Sequence, residues 1–186
     1  EMAYLALRLR REIGDRRGQA QSLNNLGNVA NNQADYAAAI ACFEKAYNIS
    51  QRIGDKRGEA LALNNLGVAA ALQGQHAEAS HYYTLALPLQ QETSNRLGEA
   101  WVYNNLGTIS RYEGRYAQAE SYFERALTVQ RDLRYRKGAG ITLNNLAAVF
   151  RQQGRFAEAQ QLHEEALDVV RQIGYLKGES LVLSQF

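Results

Sequence analysis

Cysteine and proline are almost absent from this 186-residue chain, with one residue of each. The lone Cys42 excludes a disulfide within the chain and any thiolate cluster for metal or redox work. It is compatible with a reducing compartment, and with no visible secretory signal the expected location is the cytoplasm. No run of 18 apolar residues occurs, so no membrane-spanning helix is expected. Charge of one sign is also lacking: 21 Lys+Arg against 19 Asp+Glu leave +2. That balance disfavours nucleic-acid binding driven by charge. Catalytic signatures are missing as well. No G-x-S-x-G, P-loop or dinucleotide fingerprint occurs. His76, His81 and His163 have no Cys, Asp or Glu at metal-ligand spacing. No enzyme, no metal and no cofactor is expected.

The chain has instead a period. "LNNLG" stands at 23–27 and returns as "LNNLG" at 63–67, "YNNLG" at 103–107 and "LNNLA" at 143–147. Glycines at 18, 58, 98, 138 and 178 open the same phrase, 40 residues apart. Four repeats therefore run 13–52, 53–92, 93–132 and 133–172. Residues 1–12 match the end of a repeat, and 173–186 match the start of one. The chain thus reads as one array, 1–186, cut from a longer one.

Each repeat carries two helical stripes. Ala20, Leu23, Leu26, Gly27 and Ala30 share one face, which predicts a helix A near 17–33. Tyr36, Ala39, Ile40, Phe43, Ala46 and Tyr47 share another, which predicts a helix B near 36–52. Gly74, Gly114 and Gly154 supply the left-handed residue between them, and Ala34 departs from that pattern. Small residues such as Gly27, Ala39 and Ala46 let the helices approach closely. Pro88, late in one helix B, should remove one backbone hydrogen bond. The expected fold is all-α: helix–turn–helix units stacked into a solenoid.

Leu23-x-x-Leu26-Gly27-x-x-Ala30, followed by Ala39-x-x-x-Phe43 and Ala46, resembles the tetratricopeptide repeat. The other copies agree through Leu63, Leu66, Gly67, Ala79, Tyr83 and Ala86, through Tyr103, Leu106, Gly107, Ala119, Phe123 and Ala126, and through Leu143, Leu146, Ala159 and Ala166. Departures are the period of 40 in place of 34, Ala147 in the glycine slot and His163 in the aromatic slot. The longer period is similar to Pins/LGN scaffolds, kinesin light chains and bacterial repeat-containing signalling regulators. The resemblance implies a right-handed α-α superhelix whose helices A line a concave groove that binds a protein or peptide.

By helix geometry, the groove-facing candidates are Gln21, Asn24, Asn28, Asn31 and Asn32; Leu61, Asn64, Val68, Ala71 and Leu72; Trp101, Asn104, Thr108, Arg111 and Tyr112; and Ile141, Asn144, Ala148, Arg151 and Gln152. Asn24, Asn64, Asn104 and Asn144 would form a carboxamide ladder. It can read the amides of an extended peptide, or it can bond neighbouring helices. Asn25, Asn65, Asn105 and Asn145 lean towards the interface between repeats. Trp101 is either a recognition hot spot or packed on an adjacent helix. Arg111 and Arg151 can clamp a carboxylate. The peptide-binding set is thus Asn24, Asn28, Asn64, Trp101, Asn104, Arg111, Asn144 and Arg151. Arg131, Arg134, Arg136 and Lys137 crowd one connector, which is either a solvated loop or a contact for an acidic partner. Alternatives to peptide binding are self-association through the ends, with 181–186 as an apolar end segment, and a ligand-sensing segment of a larger ATPase or transcription regulator.

Overall fold

A computed structural model describes residues 2–183, excepting the side chains of residues 2–4, 176, 177, 181 and 183. Ten helices follow one another: α1 Met2–Glu12, α2 Arg16–Asn32, α3 Tyr36–Arg52, α4 Lys56–Leu72, α5 His76–Glu92, α6 Arg96–Tyr112, α7 Tyr116–Asp132, α8 Arg136–Gln152, α9 Phe156–Gln172 and α10 Leu176–Leu183. No strand occurs among the described residues. The predicted helix A at 17–33 lies one residue earlier, and the predicted helix B at 36–52 is reproduced.

Three-residue connectors end every helix from α1 to α9 in the same way. Their middle residue takes a positive φ, from 52° at Arg134 to 76° at Gly154. The next residue's N–H then returns to a carbonyl in the helix's last turn, as Asp35 does to Ala30 (2.9 Å) and Gln75 to Ala70 (3.0 Å). This geometry satisfies carbonyls that a helix end otherwise leaves open. Ala34 (59°), Ser94 (53°) and Arg134 (52°) adopt it without being glycine. Ala34 therefore departs in residue type and keeps the conformation. Asp15 and Asp35 cap the helices that follow by accepting from Gly18 N and Ala38 N. Helix α5 runs through Pro88 to Glu92.

The chain divides into two compact units, 1–95 and 96–186. In the first, α2 packs on α3 and α4 on α5, while α1 covers α2, α3 covers α4, and α2 meets α4. In the second, α6 packs on α7 and α8 on α9, with α7 on α8, α10 on α9, and α6 and α10 each touching α8. Both units are thus stacks of helix pairs.

Inside the first three pairs the glycine of helix A faces the ring of helix B. A Cβ added at Gly27 would lie 2.4 Å from Phe43, and one at Gly107 would lie 2.8 Å from Phe123. Phe43, Tyr83 and Phe123 are all buried to 2% exposure or less. Full burial of a side chain of this size contributes about 1.5–3 kcal/mol. The alanines of the helix-B stripe, Ala39, Ala46, Ala79, Ala86, Ala119 and Ala126, are fully buried beside them. Cys42 packs at the edge of the cluster formed by Leu7, Ala20, Leu23, Leu26, Ala46 and Ala62. Burial pushes its thiol pKa up, as befits a small core residue.

Candidate functional site

Helix A can present to solvent only what its packing leaves over. On α2 the apolar stripe is buried, and Gln21, Asn25, Asn28 and Asn32 are exposed. On α4 the corresponding positions are apolar: Leu61 is 39% exposed and Leu72 is 55% exposed, with Val68 and Ala71 half-buried. In the second unit, α6 exposes Trp101 (41%) and Tyr112 (61%) and half-buries Thr108 and Arg111. Helix α8 exposes Arg151 and Gln152 and half-buries Ile141 and Ala148. Among the candidates, Asn28, Trp101 and Arg151 are therefore exposed, and Asn64, Asn104 and Arg111 are half-buried.

Asn24 and Asn144 lie deeper, at 3% and 5% exposure. Asn24 donates from Nδ2 to the carbonyl of Ala20 (3.2 Å). Its Oδ1 accepts from Nδ2 of Asn65 (3.0 Å), one repeat on. The second unit repeats the contact: Asn104 Oδ1 accepts from Asn145 Nδ2 (3.1 Å) and from the Thr142 hydroxyl (3.1 Å). The first asparagine of one repeat thus bonds the second asparagine of the next. In these two pairs the carboxamides join adjacent helices A beneath the exposed face. A carboxamide bond shielded in this way, buried in the first unit and half-buried in the second, favours one register between those helices.

Cations from the first turn of helix A flank this face, and sequence reasoning missed them. Arg17 Nε lies 3.1 Å from Asp55 Oδ2, and Arg57 donates to the carbonyl of Thr93 (3.2 Å). Arg17, Gln21, Asn24, Asp55, Arg57 and Leu61 line a cleft of about 330 Å³ between α2 and α4. Their signal was available: Arg17 and Arg57 occupy the same place in consecutive repeats. The guanidinium of Arg111 lies over the ring of Tyr112, 4.5 Å from its centroid. This pair presents a cation and an aromatic edge together.

His163 is 3% exposed in the helix-B ring slot. Burial, and then the nearby charge of Arg151, hold its pKa below the ordinary imidazole value. His76 is half-buried and His81 exposed. Among the described residues, no three His, Cys, Asp or Glu side chains converge as metal ligands. No described helix is long and apolar enough to cross a membrane. Around the basic connector, Arg131 pairs with Glu165 (2.8 Å), Arg136 donates to Gln172 (3.2 Å), and Lys137 lies over the Tyr175 ring (4.5 Å). Of the end segment 181–186, residues 184–186 and the side chains of Leu181 and Leu183 lie outside the described residues.

The tetratricopeptide repeat profile matches residues 2–52, 18–92 and 98–172. Several solved structures share the fold at low identity. BtubC (BKLC) from P. vanneervenii superposes with a TM-score of 0.79 at 17% identity, over 99% of this chain and 86% of that one. A Rap protein complexed with competence and sporulation factor gives 0.77 at 16% identity, over 83% of this chain and 43% of that one. Aspartyl phosphate phosphatase F from Bacillus subtilis gives 0.81 at 15% identity, over 89% of this chain and 45% of that one. Sequence comparison with curated proteins gives no match.

Proposed function

We propose, on the premise that the chain belongs to the tetratricopeptide repeat family, that it is a non-enzymatic module whose exposed helix-A face binds a polypeptide segment. One observation carries this reading. Large apolar and aromatic side chains are left in solvent on the helices A of each unit: Leu61 and Leu72 in the first, Trp101 and Tyr112 in the second. An exposed Trp beside half-buried polar groups is the composition of a recognition hot spot. Arg111 and Arg151 add charge-assisted donors for a carboxylate. Asn28 and Asn64 add carboxamides for backbone amides. Asn24 and Asn104 act from beneath, each accepting from the next helix A. The Rap protein's complex with competence and sporulation factor is a similar fold with a bound factor, which supports a binding role here.

The test is selection of binding peptides against the full chain, followed by calorimetric titration of the parent and of each variant. Trp101→Phe keeps an aromatic ring, and Trp101→Ala removes it. Selected peptides should lose at least about tenfold in affinity with Trp101→Ala or Arg111→Ala. Phe156→Ala, 68% exposed on helix B, should leave binding unchanged. Peptides that bind all three alanine variants as they bind the parent would sink the helix-A face as the site.

A further inference from the structure

A second cleft lies in the first unit, away from the exposed helix-A face. It is formed by the end of α1, the start of α2 and the second half of α3, and has a volume of about 260 Å³. Arg11, Arg16, Lys45 and Arg52 line it, with Gln19 and Ile49 among the groups between them. None of its described lining residues is acidic. All four cations are exposed. Arg16 donates only to the neutral Gln19 Oε1 (3.3 Å). Arg11, Lys45 and Arg52 have no hydrogen-bond or ion-pair partner among the described residues. The adjacent carboxylates are already engaged: Glu12 pairs with Arg8 (3.1 Å), and Asp15 caps Gly18 N (2.8 Å).

The other repeats supply an internal control. The place of Gln19 is taken by Glu59 and Glu99, each 7% exposed or less. Glu59 pairs with Lys56 (3.5 Å), which stands where Arg16 stands. Glu99 pairs with Arg96 (2.8 Å), and Asp132, in the place of Arg52, lies 3.6 Å from the same guanidinium. In the fourth repeat Glu165 replaces Lys45 and takes Arg131. Only the first repeat has exchanged every one of these carboxylates for a neutral or cationic group. A sphere of 260 Å³ is about 8 Å across, no wider than the physiological Debye length. The four positive fields therefore add within the cleft.

We propose that this cleft binds a polyvalent oxyanion of the phosphate class. A single carboxylate would leave three cations unneutralised, whereas a phosphate or diphosphate group matches both the charge and the planar forks of the arginines. The cleft volume accommodates such a head group and little more. The site is independent of the peptide face, and either reading can fail alone.

Calorimetric titration of the full chain with inorganic pyrophosphate, at a constant ionic strength of about 0.15 M, tests the proposal. One saturable site is expected. Gln19→Glu, which installs the carboxylate of the middle repeats, should weaken it by about tenfold or more, as should the exposed Lys45→Gln. If Gln19→Glu unfolds the chain, Lys45→Gln decides the matter. Lys56→Gln, at the paired site of the second repeat, should leave binding unchanged. O-phosphoserine titrated free and within a peptide separates the sources. Equal affinity assigns a small phosphate ester, and tighter peptide binding assigns a phosphorylated chain. Absence of saturable pyrophosphate binding, or unchanged affinity in Lys45→Gln, overturns the proposal. So does a polyglutamate peptide that binds as tightly as the phosphate probes.

Discussion

Gly67 leaves the ring of Tyr83 no room for another carbon: a Cβ on Gly67 would stand 2.5 Å from Tyr83 Cε1. The fourth repeat departs at both equivalent positions together. Ala147 replaces the glycine and His163 replaces the six-membered ring, and both are buried. A five-membered imidazole gives back the space that the extra methyl takes.

Gly67→Ala should therefore destabilise the chain by about 1–3 kcal/mol through overpacking. Combining it with Tyr83→His should recover part of that loss, because the pair then copies the fourth repeat. Urea unfolding of the two single variants and the double variant measures the coupling. Purely additive effects would show that the two slots are not matched.

The His163 exchange also sets a pH dependence. Burial and Arg151 hold its folded pKa below the ordinary value of 6.5. Above that pH both folded and unfolded forms are neutral there, and the site costs nothing. As pH falls through 6.5, the unfolded chain takes up a proton that the folded chain resists, so stability is lost on the acid side. The double variant Ala147→Gly/His163→Phe restores the ring pattern of the other repeats. Between about pH 7.5 and about pH 5.5 it should lose less stability than the parent. Equal losses in the two proteins would place the acid sensitivity elsewhere.

The buried amide pair makes a separate prediction. Asn65→Ala strands Asn24 Oδ1 at 3% exposure, which should cost about 1–3 kcal/mol. Replacing both asparagines by leucine removes the two polar groups together and should cost less than that single deletion. Denaturant midpoints at constant m-value report the difference. A double variant as unstable as the sum of its singles would deny the bond a role in stability.

Much of the fold was legible because two periods coincide in the sequence. The helical stripe Leu23–Leu26–Ala30 gave the core face, and the 40-residue return gave the stacking. The asparagine pair was only half legible. Helix geometry put Asn24 on the side away from the packed stripe, and it put Asn65 nearer the next repeat. Spacing alone could not say that a neighbouring helix would cover Asn24 to 3% exposure and take its oxygen. That depends on how closely α2 and α4 approach, which the small residues permit but do not specify. The cationic cleft was illegible along the chain for a related reason. Its charges come from three helices, and Arg11 and Arg52 meet only after stacking. The telling signal was a missing carboxylate at Gln19, visible once the repeats are laid over one another.

The asparagine contact has a direction. An acceptor on one helix A receives a donor from the helix A that follows, one position further along its repeat. Such a contact is head-to-tail and not self-complementary, so it does not pair two like faces about a twofold axis. Within each unit it acts as a one-way coupling that admits the next repeat in one orientation and one register. A recombination that inserts or deletes whole repeats preserves every donor–acceptor step, whereas a slip of one residue breaks it. The chain's period is thus also its unit of permissible change.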